Sequence, residues 1–430
     1  MSISELHEIF LESTGISTDS RKIWKDCIYL SLKGDRFNGN NFALQALSQG
    51  ASFSVIDQVL EEKNNSLIKV ENGLQTLQNL AAYHRAYCGW PTLGITGSNG
   101  KTTTKELIGV LLASKYRTLI TEGNLNNHIG VPLTVLKGSK SHEIAVIEMG
   151  ASHPGNIKVL CEMADPDLGL ITNIGKAHLE GMGGISGVLK TKGELFDHIL
   201  KKEGKLLLNS NQPLLADSYS GNEHLRYGSG KGNDIQGHSE NNNGYLRVVW
   251  KLKDEIDWRT INTNLVGNYN LDNVLSAITV GIYFGVDPIE IAKAIEKYIP
   301  TNNRSELEVS GTNRIIWDAY NANPSSMTSA LTNVASFNAD KLILILGEMN
   351  EVGETSLVEH QSLIDEATKL NPTSLILIGE SFRKCEAGVS EHFSGVDGLV
   401  SYLSEKPLSD SLILVKGSRS NQLEKLKGIL

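Results

Sequence analysis

The feature that most constrains this chain is a rhythm. Short apolar runs that read as buried strands recur along it, with helical stretches between them. From residue 92 the runs are "TLGITG", "IAVIEMG" (144–150), "LGLITNIG" (168–175) and "KLLLNS" (205–210). Strands buried on both faces and joined by helix-length crossovers imply a parallel sheet with helices on both sides. The rhythm resumes near Pro300 with "RIIWDAY", "KLILILGEM", "SLILIGESF" and "SLILVKGSR", which predicts a second doubly wound unit. At 430 residues the chain is long for one domain. The expected class is α/β in three domains. Residues 1–88 form a small α/β domain and 89–300 a central P-loop-type, mostly parallel sheet. Residues 301–430 form a C-terminal Rossmann-like domain.

Finer readings follow within these regimes. Leu74, Leu77, Leu80 and Ala81 share one face of a helix in "GLQTLQNLAAYHRAYC", which Gly89 and Pro91 stop. Residues 221–244 are polar and rich in Gly and Asn, and read as a surface excursion. "YLRVVWKL" and "WRTINTNLVG" read as antiparallel strands and "NLDNVLSAITVGIYFG" as a helix. A formal charge of −9 argues against a general nucleic-acid partner, yet permits small anions in a locally positive pocket. The four scattered cysteines form no CxxC pair, which suits a reduced, cytoplasmic protein. No stretch reads as a signal peptide or a membrane span.

Chemistry concentrates first in "LGITGSNGKTTTKE". The common phosphate-loop pattern asks for Gly, four residues, then Gly-Lys-Ser/Thr. Here Ile95 stands where the first Gly belongs. The context is nevertheless strand, loop, helix. Backbone N–H groups at a helix start attract anions, and glycine permits close approach to a phosphate. Gly97, Ser98, Asn99, Gly100, Lys101, Thr102 and Thr103 are therefore the candidate nucleotide loop, with Lys101 on the phosphates and the Thr102 hydroxyl on Mg²⁺. A bland alternative, a glycine-rich turn with a solvated lysine, lacks that context. It does fit "GSGKGND" (228–234), which has no Ser/Thr after Gly-Lys and reads as a loop.

Glu148 and His178 each follow a strand, at the end where parallel sheets bind ligands. Either could hold a metal, although a strand-end Glu or a lone His is more often structural. Lys190 and Lys192, two apart on a helix, point in different directions, and spacing alone does not lift them above a solvated face.

Taken with "TEGNLNNHIGVPLT" (121–134), "VIEMGASHPGNI" (146–157) and "AHLEGMGGISGVLKTKGE" (177–194), the loop resembles the Mur ligase family of ATP-dependent amide-bond ligases. "DAYNANPSSM" (318–327), "LGEMNEVGE" (346–354) and "LVKGSRSNQLE" (414–424) resemble the family member that adds a D-alanyl-D-alanine dipeptide to UDP-N-acetylmuramoyl-tripeptide. The resemblance implies ATP and two Mg²⁺ ions, with Glu148 and His178 on the second. It implies that Lys192, fourteen residues after His178, is carbamylated by CO₂; Lys190 is out of that register. It places Asn270 and Asn273 on adenine, with Tyr269 where the family usually has His. Arg304 and Asp318 become ATP-site residues from the third domain. Ser20, Arg21, Lys33 and Gly34 become the uridine-diphosphate pocket. Asn126 and Asn127 become substrate contacts, and "GEMNEVGE" (347–354) and "NANPSS" (321–326) line the dipeptide pocket, with Asn321, Asn323 and Ser325 nearest it. A monomeric enzyme with small-molecule substrates is expected. Alternatives at this point are a ligase adding one amino acid, a folylpolyglutamate synthase-like ligase, and a non-catalytic nucleotide switch. The last has no use for a second metal.

Overall fold

The structure is a computed structural model that describes residues 1–61, 64–221, 224–242, 244–300, 304–388 and 390–430. Near the N-terminus, a capping box between Ser2 and Glu5 starts the helix Ile3–Glu12. The strands Ile16–Ser17, Ile28–Leu30, Phe53–Ile56 and Leu67–Lys69 pair in parallel. The helix Gly73–Cys88 is capped by the Asn72 side chain and ends at Gly89, whose φ of 71° is the left-handed stop that glycine supplies. It packs on the helices Gly130–Leu136 and Asn156–Ala164. One apolar core, with Leu77, Leu80, Val131 and Ile157, therefore runs from the first sheet onto one face of the second.

That second sheet has nine strands. Thr92–Thr96 lies between Ile144–Glu148 and Leu168–Ile171, parallel to both. The chain crosses from one side of Thr92–Thr96 to the other between these neighbours. Crevices at such switch points, outside the carboxyl ends of the strands, are where open α/β sheets bind ligands. The opposite face is covered by the helices Lys101–Leu112, Leu271–Tyr283 and Pro288–Lys297 over a separate apolar core.

The stretch 221–244 corrects the expectation of a surface excursion. Leu225–Gly228 and Ile235–Asn242 are strands of the nine-stranded sheet. Tyr227 and Ile235 are buried, and these two side chains decided the matter against the many glycines and asparagines around them. Between the strands, "GSGKGND" is a loop, as read. Tyr245–Leu252 and Arg259–Val266 complete the sheet in antiparallel.

The third sheet has six strands. The four apolar runs form its parallel centre, and Glu306–Ser310 adds an antiparallel edge. Separate cores lie on its two faces. The α/β, multi-sheet class expected from the sequence is the observed one. Among the described residues, no helix is long and apolar enough to cross a membrane.

Candidate active site

Residues 97–100 turn the chain from the strand Thr92–Thr96 into the helix Lys101–Leu112. Gly97 and Gly100 have φ of 148° and 80°. A Cβ on Gly97 would stand 1.9 Å from the Thr172 hydroxyl, and one on Gly100 2.4 Å from Asn273 Oδ1. Both positions therefore demand glycine, for backbone shape and for space. Asn173 fixes the loop: its carbonyl accepts from Ser98 N–H and its Oδ1 from Asn99 N–H, each at 3.0 Å. N–H groups in the first helical turn have no partner within the helix, which makes this an anion site. The Lys101 ammonium donates to the Gly97 carbonyl at 2.7 Å. Burial lowers its pKa, and the Glu148 carboxylate opposes that shift.

Glu148 is buried at the end of its strand. Its Oε2 accepts from the Thr102 hydroxyl at 3.0 Å and its Oε1 from the Asn126 amide at 2.7 Å. The Lys105 ammonium lies 3.7 Å from Oε2, and both side chains are about fully buried, at 2% and 1% exposure. Lys105 escaped the sequence reading. Its signal was present, since it stands four residues after Lys101 on the same helix, a spacing that shares a face. Asn126 thus holds a carboxylate and also lines the cavity described below.

His178 takes the left-handed backbone at φ 52°, rare outside glycine and a mark of functional turns. Its Nδ1 faces the carboxylate of Glu351, a third-domain residue also at positive φ, 60°. Burial depresses the imidazole pKa, Glu351 opposes this, and the charges of Lys101 and Lys192 add to it. Lys192 is buried in the helix Ile185–Leu200 and does not reach the cavity wall. Among the described residues its ammonium has no hydrogen-bond or ion-pair partner. Burial, then the charge of Lys101, holds its pKa well below the ordinary lysine value.

The loop, Asn126, Glu148 and His178 open onto a cavity of about 950 Å³ between the second and third sheets. Asn270 and Asn273 line it, but their amides are engaged: Asn273 donates to Asn270 Oδ1, Asn270 to the Val266 carbonyl, and Thr104 to Asn273 Oδ1. Tyr269 lines it too, its phenol 2.7 Å from the Ser305 hydroxyl. Arg304 stacks on the Tyr320 ring at 3.6 Å. Asp318 accepts from the buried Lys416 ammonium at 2.6 Å. Lys416 was also missed. It ends an apolar run, and only the register that sets it beside Asp318 reveals it. Asn127, Asn321, Asn323 and Ser325 line the same cavity. The Ser325 hydroxyl accepts from Lys176 N–H at 2.9 Å, and the Asn323 amide bonds to Asn99.

Ser20, Arg21, Lys33 and Gly34 lie outside this cavity. Arg21 is exposed and paired with Asp19. Lys33–Gly34 pairs with Phe37–Asn38 in a short hairpin. A second cavity of about 800 Å³ touches Ser17, Asp19 and Lys22 but none of the four.

A glycine loop opening a helix at a sheet's switch point, faced by a strand-end carboxylate, defines a nucleotide-phosphate-binding α/β enzyme. Comparison narrows the class. The Mur ligase middle domain matches residues 95–281, and the domain described as "Mur ligase, glutamate ligase domain" matches residues 303–419. The chain is 34% identical over 426 residues to the UDP-N-acetylmuramoyl-tripeptide–D-alanyl-D-alanine ligase of Bacillus subtilis, covering 96% of this chain and 92% of that one. The Escherichia coli enzyme of the same name is 30% identical, covering 98% and 94%. A solved MurF from Acinetobacter baumannii superposes with a TM-score of 0.87 at 28% identity, over 96% and 92% of the chains. The chain belongs to the Mur ligase family. It is an ATP-dependent, amide-bond-forming ligase.

Proposed function

We propose that this enzyme joins D-alanyl-D-alanine to UDP-N-acetylmuramoyl-tripeptide, with ATP as the energy source, as a monomer in the cytoplasm. The observation that carries the reading is one cavity that gathers the loop, Glu148 and the third-domain residues Arg304 and Asp318. The names of relatives that match almost the whole chain supply the substrates.

A carboxylate and an amine do not condense unaided at pH 7. Transfer of the γ-phosphoryl of ATP to the tripeptide carboxylate gives an acyl phosphate and ADP. Attack by the dipeptide amine then forms the amide and expels phosphate. Enzymes promote such transfers by positioning and by neutralising charge. Here the first-turn N–H groups and Lys101 receive the phosphates. Asn270 and Asn273 are assigned to the adenine side, and Arg304 and Asp318 to the nucleotide from the third domain. Water would hydrolyse the acyl phosphate, so the third domain is expected to close over the cavity before chemistry. The stretch 321–325 borders the dipeptide, and Asn127 the tripeptide. Ser20, Arg21, Lys33 and Gly34 are kept as candidates for the uridine end.

The donors present suit Mg²⁺: a buried carboxylate beside a hydroxyl, Glu148 and Thr102, and an imidazole whose pKa burial depresses, His178. Magnesium takes one or two carboxylates and completes its shell with phosphate oxygens and water. Bound there, it would neutralise phosphate charge. Lys192 suits carbamylation, because a depressed pKa leaves the amine free to add to CO₂ with loss of one proton. The carbamate would present an anionic oxygen toward the second Mg²⁺.

The test supplies UDP-N-acetylmuramoyl-tripeptide, D-alanyl-D-alanine, ATP and Mg²⁺, and follows phosphate and the pentapeptide. Release of both in equal amounts is expected. No product, or equal turnover with a single amino acid, sinks the reading. Lys101→Ala should lower turnover about a thousand-fold or more.

A further inference from the structure

Two residues assigned above to different ligands are bonded to each other. Asn323 Nδ2 donates to Asn99 Oδ1 at 2.8 Å, and Asn99 Nδ2 reaches Asn323 Oδ1 at 3.5 Å. The bond spans 224 positions of sequence and joins the nucleotide loop to the third domain. Each partner is rigidly held from behind. The Asn99 carbonyl accepts from the Thr172 hydroxyl at 2.6 Å and from the Asn173 amide at 3.0 Å, and its N–H is held by Asn173 Oδ1. Asn323 caps the helix Pro324–Val334 in a reciprocal capping box with Ser326. The Asn99 main chain is thus fixed, its side chain bonds only to Asn323, and the Asn323 side chain is held in turn by Ser326 N–H. A second tie, from Lys176 N–H to the Ser325 hydroxyl, lies one helical step away.

We propose that the Asn99–Asn323 amide pair is a docking contact that sets the third domain on the nucleotide loop, so that both are positioning residues for ligation. This rests on the ligase reading. The loop meets phosphate through its backbone and Lys101, which leaves the Asn99 side chain free to read the position of the third domain. Asn323 then shapes the dipeptide wall by where it fixes the helix. Misplacing reacting groups by a fraction of their contact distance is costly in rate, about 10- to 100-fold.

The experiment compares Asn99→Ala, Asn323→Ser and the double variant in the complete enzyme. Serine still caps a helix but is too short to reach Asn99. Circular dichroism melting checks the fold of each variant, and Asn99→Ser replaces Asn99→Ala if that one does not fold. A docking pair predicts that both single variants lose kcat by about 10- to 100-fold, a larger loss than either shows in ATP affinity. The double variant should be no worse than the worse single, since the bond can be lost only once. If Asn323→Ser raises the dipeptide KM while Asn99→Ala turns over normally, or if the two losses multiply, the pair is no dock. A wild-type enzyme that makes no pentapeptide overturns the ligase reading instead, and the two failures are told apart by that control.

Discussion

Two lysine–carboxylate pairs stand at the carboxyl ends of two different sheets, and they are built differently. In the central domain Lys105 and Glu148 are both buried, and the carboxylate is shared among a hydroxyl, an amide and the ammonium. In the third domain only the ammonium of Lys416 is deeply buried, while Asp318 is 18% exposed toward the cavity. A fully buried pair is costly to form and more costly to break, because the survivor is left charged in the core. A half-open pair can be broken with water taking over one side. The first pair therefore belongs to the fold as well as to the site. The second is a cation–acid pair that the third domain presents to the cavity.

The comparison can be broken by removing one acid at a time. Glu148→Ala should abolish ligation and destabilise the protein by about 3–5 kcal/mol, read from denaturant unfolding, since buried Lys105 loses its countercharge and keeps only the Gly123 carbonyl. Asp318→Ala should cost about 1–3 kcal/mol, and raise the KM for ATP more than it disturbs the fold. Equal losses of stability from the two variants would erase the distinction drawn here.

Lys192 sharpens the contrast, being a buried lysine without a partner among the described residues. Lys192→Met removes a buried amine and fills the same space, so stability should hold or rise while turnover falls. Short carboxylates should partly restore the activity of Lys192→Ala if a carbamate oxygen is the missing group.

The smallest effect concerns acid. His84 joins the N-terminal helix to the Gly138 carbonyl at 3.0 Å and accepts from His7 at 2.9 Å. Burial lowers the pKa of both rings, and for His7 the charge of His84 adds to it. Below the ordinary value of 6.5 the unfolded chain then binds more protons than the folded one. Stability should be full above pH 6.5 and decline as pH falls below it. The melting temperature against pH should show that decline, and His7→Gln with His84→Asn should flatten it.

Much of this was legible in the chain. Apolar runs and helical spacing located the parallel strands, because burial on both faces leaves a compositional trace. The loop was legible because a phosphate cradle needs glycines and a lysine in sequence, and Gly97, Gly100 and Lys101 are within four residues of one another. The strands in 225–242 were obscured by polar side chains on a sheet whose buried face shows only every second residue. Lys416 was not found and Glu351 was read only as part of a dipeptide-pocket stretch, because their partners, Asp318 and His178, lie far away in sequence.

The sequence by itself determined the α/β class, the loop, and the places of Glu148 and His178 after their strands. Each depends on residues within a single strand–turn–helix unit, where local spacing sets geometry. Only the tertiary structure decided which of these groups meet: Asn99 with Asn323, Lys105 with Glu148, His178 with Glu351, Asp318 with Lys416. Those pairings depend on strand register and on how one sheet docks on another, and both are set by packing over the whole chain.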